Sequence, residues 1–185
     1  MPFRPGEHGY GTVTKVLHWL TFVALVVQFV VGYAIDRFDD LLEPVANRFF
    51  AGEAEGLVLV HAGLGVVILA LAIIRLVWRR VAGLPPWAPT LSEGERRLAH
   101  ATETILYGLL FLVPLSGLGL FFLSGEEWDV GSSTWRAPWE WFDDDALLSV
   151  HIVGHVLVFV AFAVHVGLVS KHQFVDRDGL LRRML

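Results

Sequence analysis

Cysteine is absent from all 185 residues, which excludes disulfides, thiolate-held zinc, iron–sulfur clusters and any thiol nucleophile. Charge is scarce as well. Only 18 % of the chain is Asp, Glu, Lys or Arg, while 55 % is apolar, and that balance points to a lipid-facing protein rather than an ordinary soluble domain. A formal charge of −5 argues for neither nucleic acid nor an anionic surface as partner. Internal repeats and low-complexity segments are missing too. Among side chains able to hold a soft metal, histidine remains, and it occurs eight times.

Four apolar stretches run from about 16 to 35, 57 to 78, 98 to 123 and 147 to 170, each near the roughly 20 residues a helix needs to cross the hydrocarbon. Core helices of a soluble bundle would carry a polar stripe. Leu20 to Val31 and Val66 to Ile74 are instead apolar all round, apart from Thr21 and Gln28. The expected fold is therefore all-α: an integral membrane four-helix bundle, with residues 1–185 as one domain. The stretch Leu84 to Pro89, with three prolines, cannot continue a helix and reads as a stiff loop. Residues 1–14 are polar and glycine-rich and the first apolar run is long enough to stay in the membrane, so no cleaved leader is expected.

Lysine and arginine fix the expected orientation. Arg4, Lys15, Arg75, Arg79, Arg80, Arg96, Arg97, Lys171, Arg177, Arg182 and Arg183 fall on one side; only Arg37, Arg48 and Arg136 fall on the other. Both termini are thus expected to be cytoplasmic. Thirteen of the nineteen acids lie in the outer loops, Glu126, Glu127, Asp129 and Asp143 to Asp145 among them, leaving −10 outside and +5 inside.

Ionisable residues inside a membrane are costly and usually functional, so the depth of each histidine matters. His18 lies near the cytoplasmic start of the first span and His165 near the cytoplasmic end of the fourth. His61, just inside the outer end of the second span, is level with His151 in the fourth. His151 and His165 are fourteen residues apart, about 40° around the helix and ~21 Å along it. One helix face therefore presents an imidazole to each level. A bis-histidine pair between facing helices holds a six-coordinate haem, which favours electron transfer over oxygen activation. The reading assigns one haem to His18 and His165 and one to His61 and His151. Gly65 and Gly154 sit beside the ligands where a porphyrin edge needs room, although glycine is common in membrane helix contacts anyway. Arg75 follows His61 by fourteen residues, on the same face, and is read as a clamp for haem propionates, whereas Arg79 and Arg80 are expected to snorkel to headgroups. His100 opens the third span at the depth of His18; it reads as a haem-edge or propionate contact, or as an ordinary interfacial histidine. His155 and His172 could replace a ligand were the depths off by a turn, with proton handling or plain solvation open for His172. His8 is expected to be solvated.

The segment Thr14-Lys15-Val16-Leu17-His18-Trp19-Leu20, then His61 with Gly65, then Arg75 to Arg79, resembles the bacterial di-haem cytochrome b561 family, whose superfamily includes the cytochrome b subunits of nickel-dependent hydrogenases. Tyr107, the run Pro114-Leu115-Ser116-Gly117, and the ending from His165 through Asp176-Arg177-Asp178-Gly179 to Arg182-Arg183-Met184 are similar to its other signatures. The resemblance spans nearly the whole chain. It implies two haems b on His18, His61, His151 and His165, the bacterial cytoplasmic membrane, and exchange of electrons with a membrane quinone.

Some members of the family look suited to taking electrons from superoxide, an anion that a basic outer surface would draw in. The acidic outer loops here weigh against that reading without removing it. Trp128, Trp135, Trp139 and Trp141 in the same loop read as an interfacial belt or, with the acids, as a docking surface for a basic electron-transfer partner. Two rivals stand beside a quinone-linked electron carrier or oxidoreductase. One is a haem-bearing anchor for a catalytic subunit, the other a haem-free proton transporter with a histidine relay.

Overall fold

The computed structural model describes Gly6 and residues 9–37, 55–130 and 133–185. Arg4, His8 and Arg48 lie outside the described residues. Four long helices dominate: α1 (Thr12–Arg37), α2 (Glu55–Ala82), α3 (Glu93–Leu123) and α4 (Asp144–Ser170). All four are long and apolar enough to cross a membrane. At 26 to 31 residues and 1.5 Å per residue they measure about 39 to 47 Å, more than the ~30 Å of hydrocarbon.

Each helix extends a few residues beyond its apolar run because capping sets the ends rather than hydropathy. Ser92 and Glu95 form a reciprocal capping box at the start of α3, and the Asp143 carboxylate accepts from the Ala146 N–H at the start of α4. Gly83, in the left-handed region at φ 78°, closes α2 by donating to the Arg79 carbonyl. The proline-rich stretch after it is non-helical, as expected. The α4 backbone then passes into a π-helical turn, Lys171–Asp176, and a 3-10 turn, Leu180–Arg183.

The interior is thin. Ile68, Ala72 and Leu110 form one buried cluster, and Leu109, Val158 and Ala161 another. The exterior is apolar instead, with Val30 61 % and Val153 56 % exposed, a surface that water would not tolerate and lipid satisfies. The expected all-α membrane bundle is the observed fold. One element lies beyond that expectation: a hairpin of β1 (Glu127–Val130) and β2 (Ser133–Arg136) between α3 and α4, antiparallel, with Trp128 opposite Trp135. Trp135 ties it to the bundle by stacking on Phe121 and donating its indole N–H to the Phe121 carbonyl at 3.2 Å.

At the other end the chain terminus folds back across the start of α1. The Tyr10 N–H donates to the Arg183 carbonyl and the Trp19 indole to the Met184 carbonyl, at 3.2 and 3.0 Å. Arg183 donates to the Pro86 carbonyl at 2.7 Å, so the tail also holds the proline-rich loop.

Candidate functional site

The four histidines singled out by depth meet in two pairs. His18 on α1 faces His165 on α4 with ring centroids 6.2 Å apart; His61 on α2 faces His151 on α4 at 6.1 Å. A metal–imidazole bond of about 2.0 Å on each side of a shared ion, with each ring centre roughly an ångström behind its nitrogen, puts ring centres about 6 Å apart. The rings thus fit an iron between them. Their nitrogens fit as well. That holds for three of the four, since His18 and His165 have no hydrogen-bond partner among the described residues, whereas the Nε2 of His61 is engaged by an amide. His151 is oriented through Nδ1, which lies 2.9 Å from the Val113 carbonyl and 3.0 Å from Ser116 Oγ. That leaves Nε2 as the free lone pair, the arrangement in which a backbone carbonyl fixes the tautomer of a ligating imidazole.

His61 is held differently. The Gln28 amide donates to its backbone carbonyl at 3.0 Å and lies 3.2 Å from its Nε2, while Nδ1 of His61 and Oε1 of Gln28 are buried with no partner. Such orphaned atoms are expensive unless something further satisfies them. Sequence reasoning missed both Gln28 and Ser116 as ring-orienting groups. Their signal was being polar in otherwise apolar spans, and their partners depend on helix rotation.

The glycines divide by what stands next to them. A Cβ on Gly65 would make ordinary contact with the Gln28 amide at 3.6 Å, and one on Gly154 would strike Val113 on α3 at 2.7 Å. Gly154 therefore serves the α3–α4 packing. The glycines against the imidazoles are Gly32, where a Cβ would stand 2.7 Å from His61 Cε1, and Gly117, where it would stand 3.0 Å from His151 Cε1.

Arg75 lies with its guanidinium 5.4 Å from the centre of the Tyr107 ring and within electrostatic reach of both His18 and His165. Arg79 does not snorkel. It pairs with Glu103 and shares the Tyr107 ring at 5.6 Å, because Glu103 and Tyr107, one turn apart on α3, both face α2. His100 is exposed, apart from both pairs. His172 is buried to 1 % exposure, with Nδ1 2.7 Å from the Asp178 carboxylate and 3.2 Å from Asp176. His155 sits one turn inward of His151, ring centroids 4.5 Å apart.

Comparison with known proteins places the chain in a family. The chain is 26 % identical to cytochrome b561 homolog 2 of Escherichia coli (strain K12), covering 100 % of this chain and 95 % of that protein. It is 24 % identical to cytochrome b562 of Cereibacter sphaeroides, with 97 % and 96 % covered. It is 22 % identical to a Yersinia pestis protein named probable superoxide oxidase, with 95 % of each covered. The family model described as prokaryotic cytochrome b561 matches residues 9–185, and by that match over almost its whole length the chain belongs to the prokaryotic cytochrome b561 family.

Proposed function

We propose that this membrane cytochrome holds two haems b, one between His18 and His165 and one between His61 and His151, and exchanges electrons between a quinone pool and a donor or acceptor at the outer face. The observation that carries the reading is the pair of level imidazole couples, each with the separation a shared iron requires. When bound, each haem supplies a one-electron ferric/ferrous couple. The protein's own work is to orient the rings. Val113 and Ser116 hold His151, and Gln28 holds His61 through its backbone carbonyl; the Gln28 amide would have to release the His61 Nε2 for that ring to ligate, and a haem held by two histidines would leave no site for oxygen or substrate. Arg75 offers the inner site a fixed cation for haem propionates. His100, exposed as it is, would touch that haem only at its edge.

The excess of cations among the α2–α3 loop and the tail supports cytoplasmic termini in a bacterial inner membrane. The acidic outer loops support a basic redox partner. The name of the Yersinia relative raises superoxide as the outer donor, and an open cavity of about 320 Å³ lined by Arg136, Trp139 and Glu140 offers a place for it. The net −10 of the outer loops opposes an anionic substrate.

The test is pyridine haemochrome quantification with redox spectra of the purified protein and four alanine variants. Two haems per chain are expected. His18→Ala and His165→Ala should remove the same haem, His61→Ala and His151→Ala the other. A colourless protein, or loss of one common haem by His18→Ala and His61→Ala, would overturn the assignment. Reduction of the haems by superoxide in stopped flow would favour the second reading.

A further inference from the structure

α4 carries one intramembrane histidine that neither pair absorbs. His155 packs edge-on against Phe29 with centroids 5.3 Å apart, and lies 6.1 Å from the Tyr33 ring. Phe159 completes the group, 4.6 Å from Phe29 and 6.4 Å from Tyr33. Neither ring nitrogen of His155, nor the Tyr33 hydroxyl, has a hydrogen-bond partner among the described residues. His155 lies well inside its span and Tyr33 near the end of its own, and an unpaired polar group within a span is costly.

Their location adds a second observation. Successive helices pack closely, α1 on α2, α2 on α3 and α3 on α4, but α1 and α4 meet largely through rings: Phe22 on Phe162, Phe29 on Phe159, Tyr33 on His155. That seam is open to lipid, with Tyr33 40 % and Phe159 46 % exposed. A ligand entering there arrives from the bilayer, meets flat aromatic faces, and finds two groups that each donate and accept hydrogen bonds.

We propose that the α1–α4 seam binds the headgroup of a membrane quinone, with His155 and Tyr33 hydrogen-bonding its two oxygens and Phe29 and Phe159 holding its ring. Flat rings stack or pack edge-to-face on aromatic side chains. A quinone needs a donor at each oxygen and a quinol an acceptor, and a neutral imidazole and a phenol provide both. The apolar tail stays in lipid along the exposed side of the seam. Because His155 touches His151, the headgroup lies beside the outer histidine pair. The assignment rests on the quinone-linked reading above and names its site.

The experiment uses the haem-loaded protein in nanodiscs and follows haem reduction by decylubiquinol. His155→Leu should leave haem content and spectrum unchanged while raising the apparent KM about tenfold, the loss expected for a single hydrogen bond in an apolar site. Tyr33→Phe should act in the same direction, and His155→Gln, which keeps a donor and an acceptor, should lie between. Wild-type KM in both His155→Leu and Tyr33→Phe would overturn the site while the quinone-linked reading stands. Should His155→Leu lose haem, Tyr33→Phe decides, since the ring and its packing are kept. Failure of decylubiquinol and menaquinol alike to reduce the wild-type haems would overturn the broader reading and the site with it.

Discussion

Gly32→Ala is the sharpest probe of the outer histidine pair, because a single methyl group is asked to occupy space that an imidazole already fills. The new Cβ would stand 2.7 Å from His61 Cε1 and 3.0 Å from its Nδ1. Non-bonded carbons prefer about 3.5–4.0 Å, so the ring has to retreat by about 1 Å or α1 has to part from α2. Neither is easy: Gln28, one turn earlier on α1, grips the His61 backbone from the same side. Overpacking of this kind costs about 1–3 kcal/mol, which weakens haem binding at the outer site by about 5-fold to 150-fold. Haem titration of the purified apoprotein, read by absorbance, should show one site unchanged and one displaced. Gly117→Ala, with its clash at 3.0 Å on His151, should displace the same site more gently. Gly63→Ala and Gly108→Ala, which would meet nothing within 4 Å, serve as controls and should change neither. Two sites of wild-type affinity in Gly32→Ala would refute the geometry of the outer pair.

Three further predictions follow from the end of the bundle where the tail packs against α1. Glu103→Gln removes the partner of an Arg79 side chain that is 23 % exposed; partly screened as the pair is, the loss should be about 1 kcal/mol, seen as a lower melting temperature in detergent. Burial alone would raise the Asp178 carboxyl, but hydrogen bonds from Thr90, the Leu180 N–H and His172 outweigh it and hold the group below its ordinary 3.8. A depressed carboxylate contributes stability above its unfolded pKa that disappears as pH falls through the folded one, so unfolding measured from pH 6 down to 2 should show an acid-side loss starting near 3.8 that Asp178→Asn lacks. His100→Ala, at an exposed position, should retain two haems; loss of the inner one would reveal a direct contact.

The spans were legible because lipid imposes a single rule, about twenty apolar residues per crossing, and because histidine is conspicuous in such runs. Levels along the membrane follow from counting residues, which is why His18 was matched with His165 and His61 with His151 before any packing was known. Rotation about each helix axis is not countable in the same way. It depends on which faces interlock, so neither the packing of Gly32 and Gly117 against the imidazoles nor the ring-orienting contacts of Gln28 and Ser116 could be read from spacing. Arg79 differs from expectation for the same reason: Glu103 lies inside the expected third span, but which face of α3 it occupies, and so its pairing with the guanidinium, depends on helix rotation. The β1–β2 hairpin carried only a brief signal, the four-residue alternation Glu127-Trp128-Asp129-Val130 ahead of Gly131-Ser132, easily passed over in a loop conspicuous for its tryptophans and acids.

Both proposed sites draw one ligand from α4, so the setting of that single helix governs the two together. Its outer end is capped by Asp143. Its other end runs into the π-helical turn, where Lys171 binds the Glu95 and Asp176 carboxylates at 2.7 and 2.6 Å and His172 is buried against Asp178. Glu95 belongs to the first turn of α3, and the same carboxylate closes the capping box there, so the network fastens the end of α4 to the start of α3. The extra residue a π turn inserts is what lets His172 point inward while Lys171 reaches across. Seen this way His172 is no substitute ligand. It is the pin that holds His165 at its height opposite His18, and loosening it should disturb the inner site before the outer, because His165 lies two turns from the network and His151 lies ~30 Å from it along the helix.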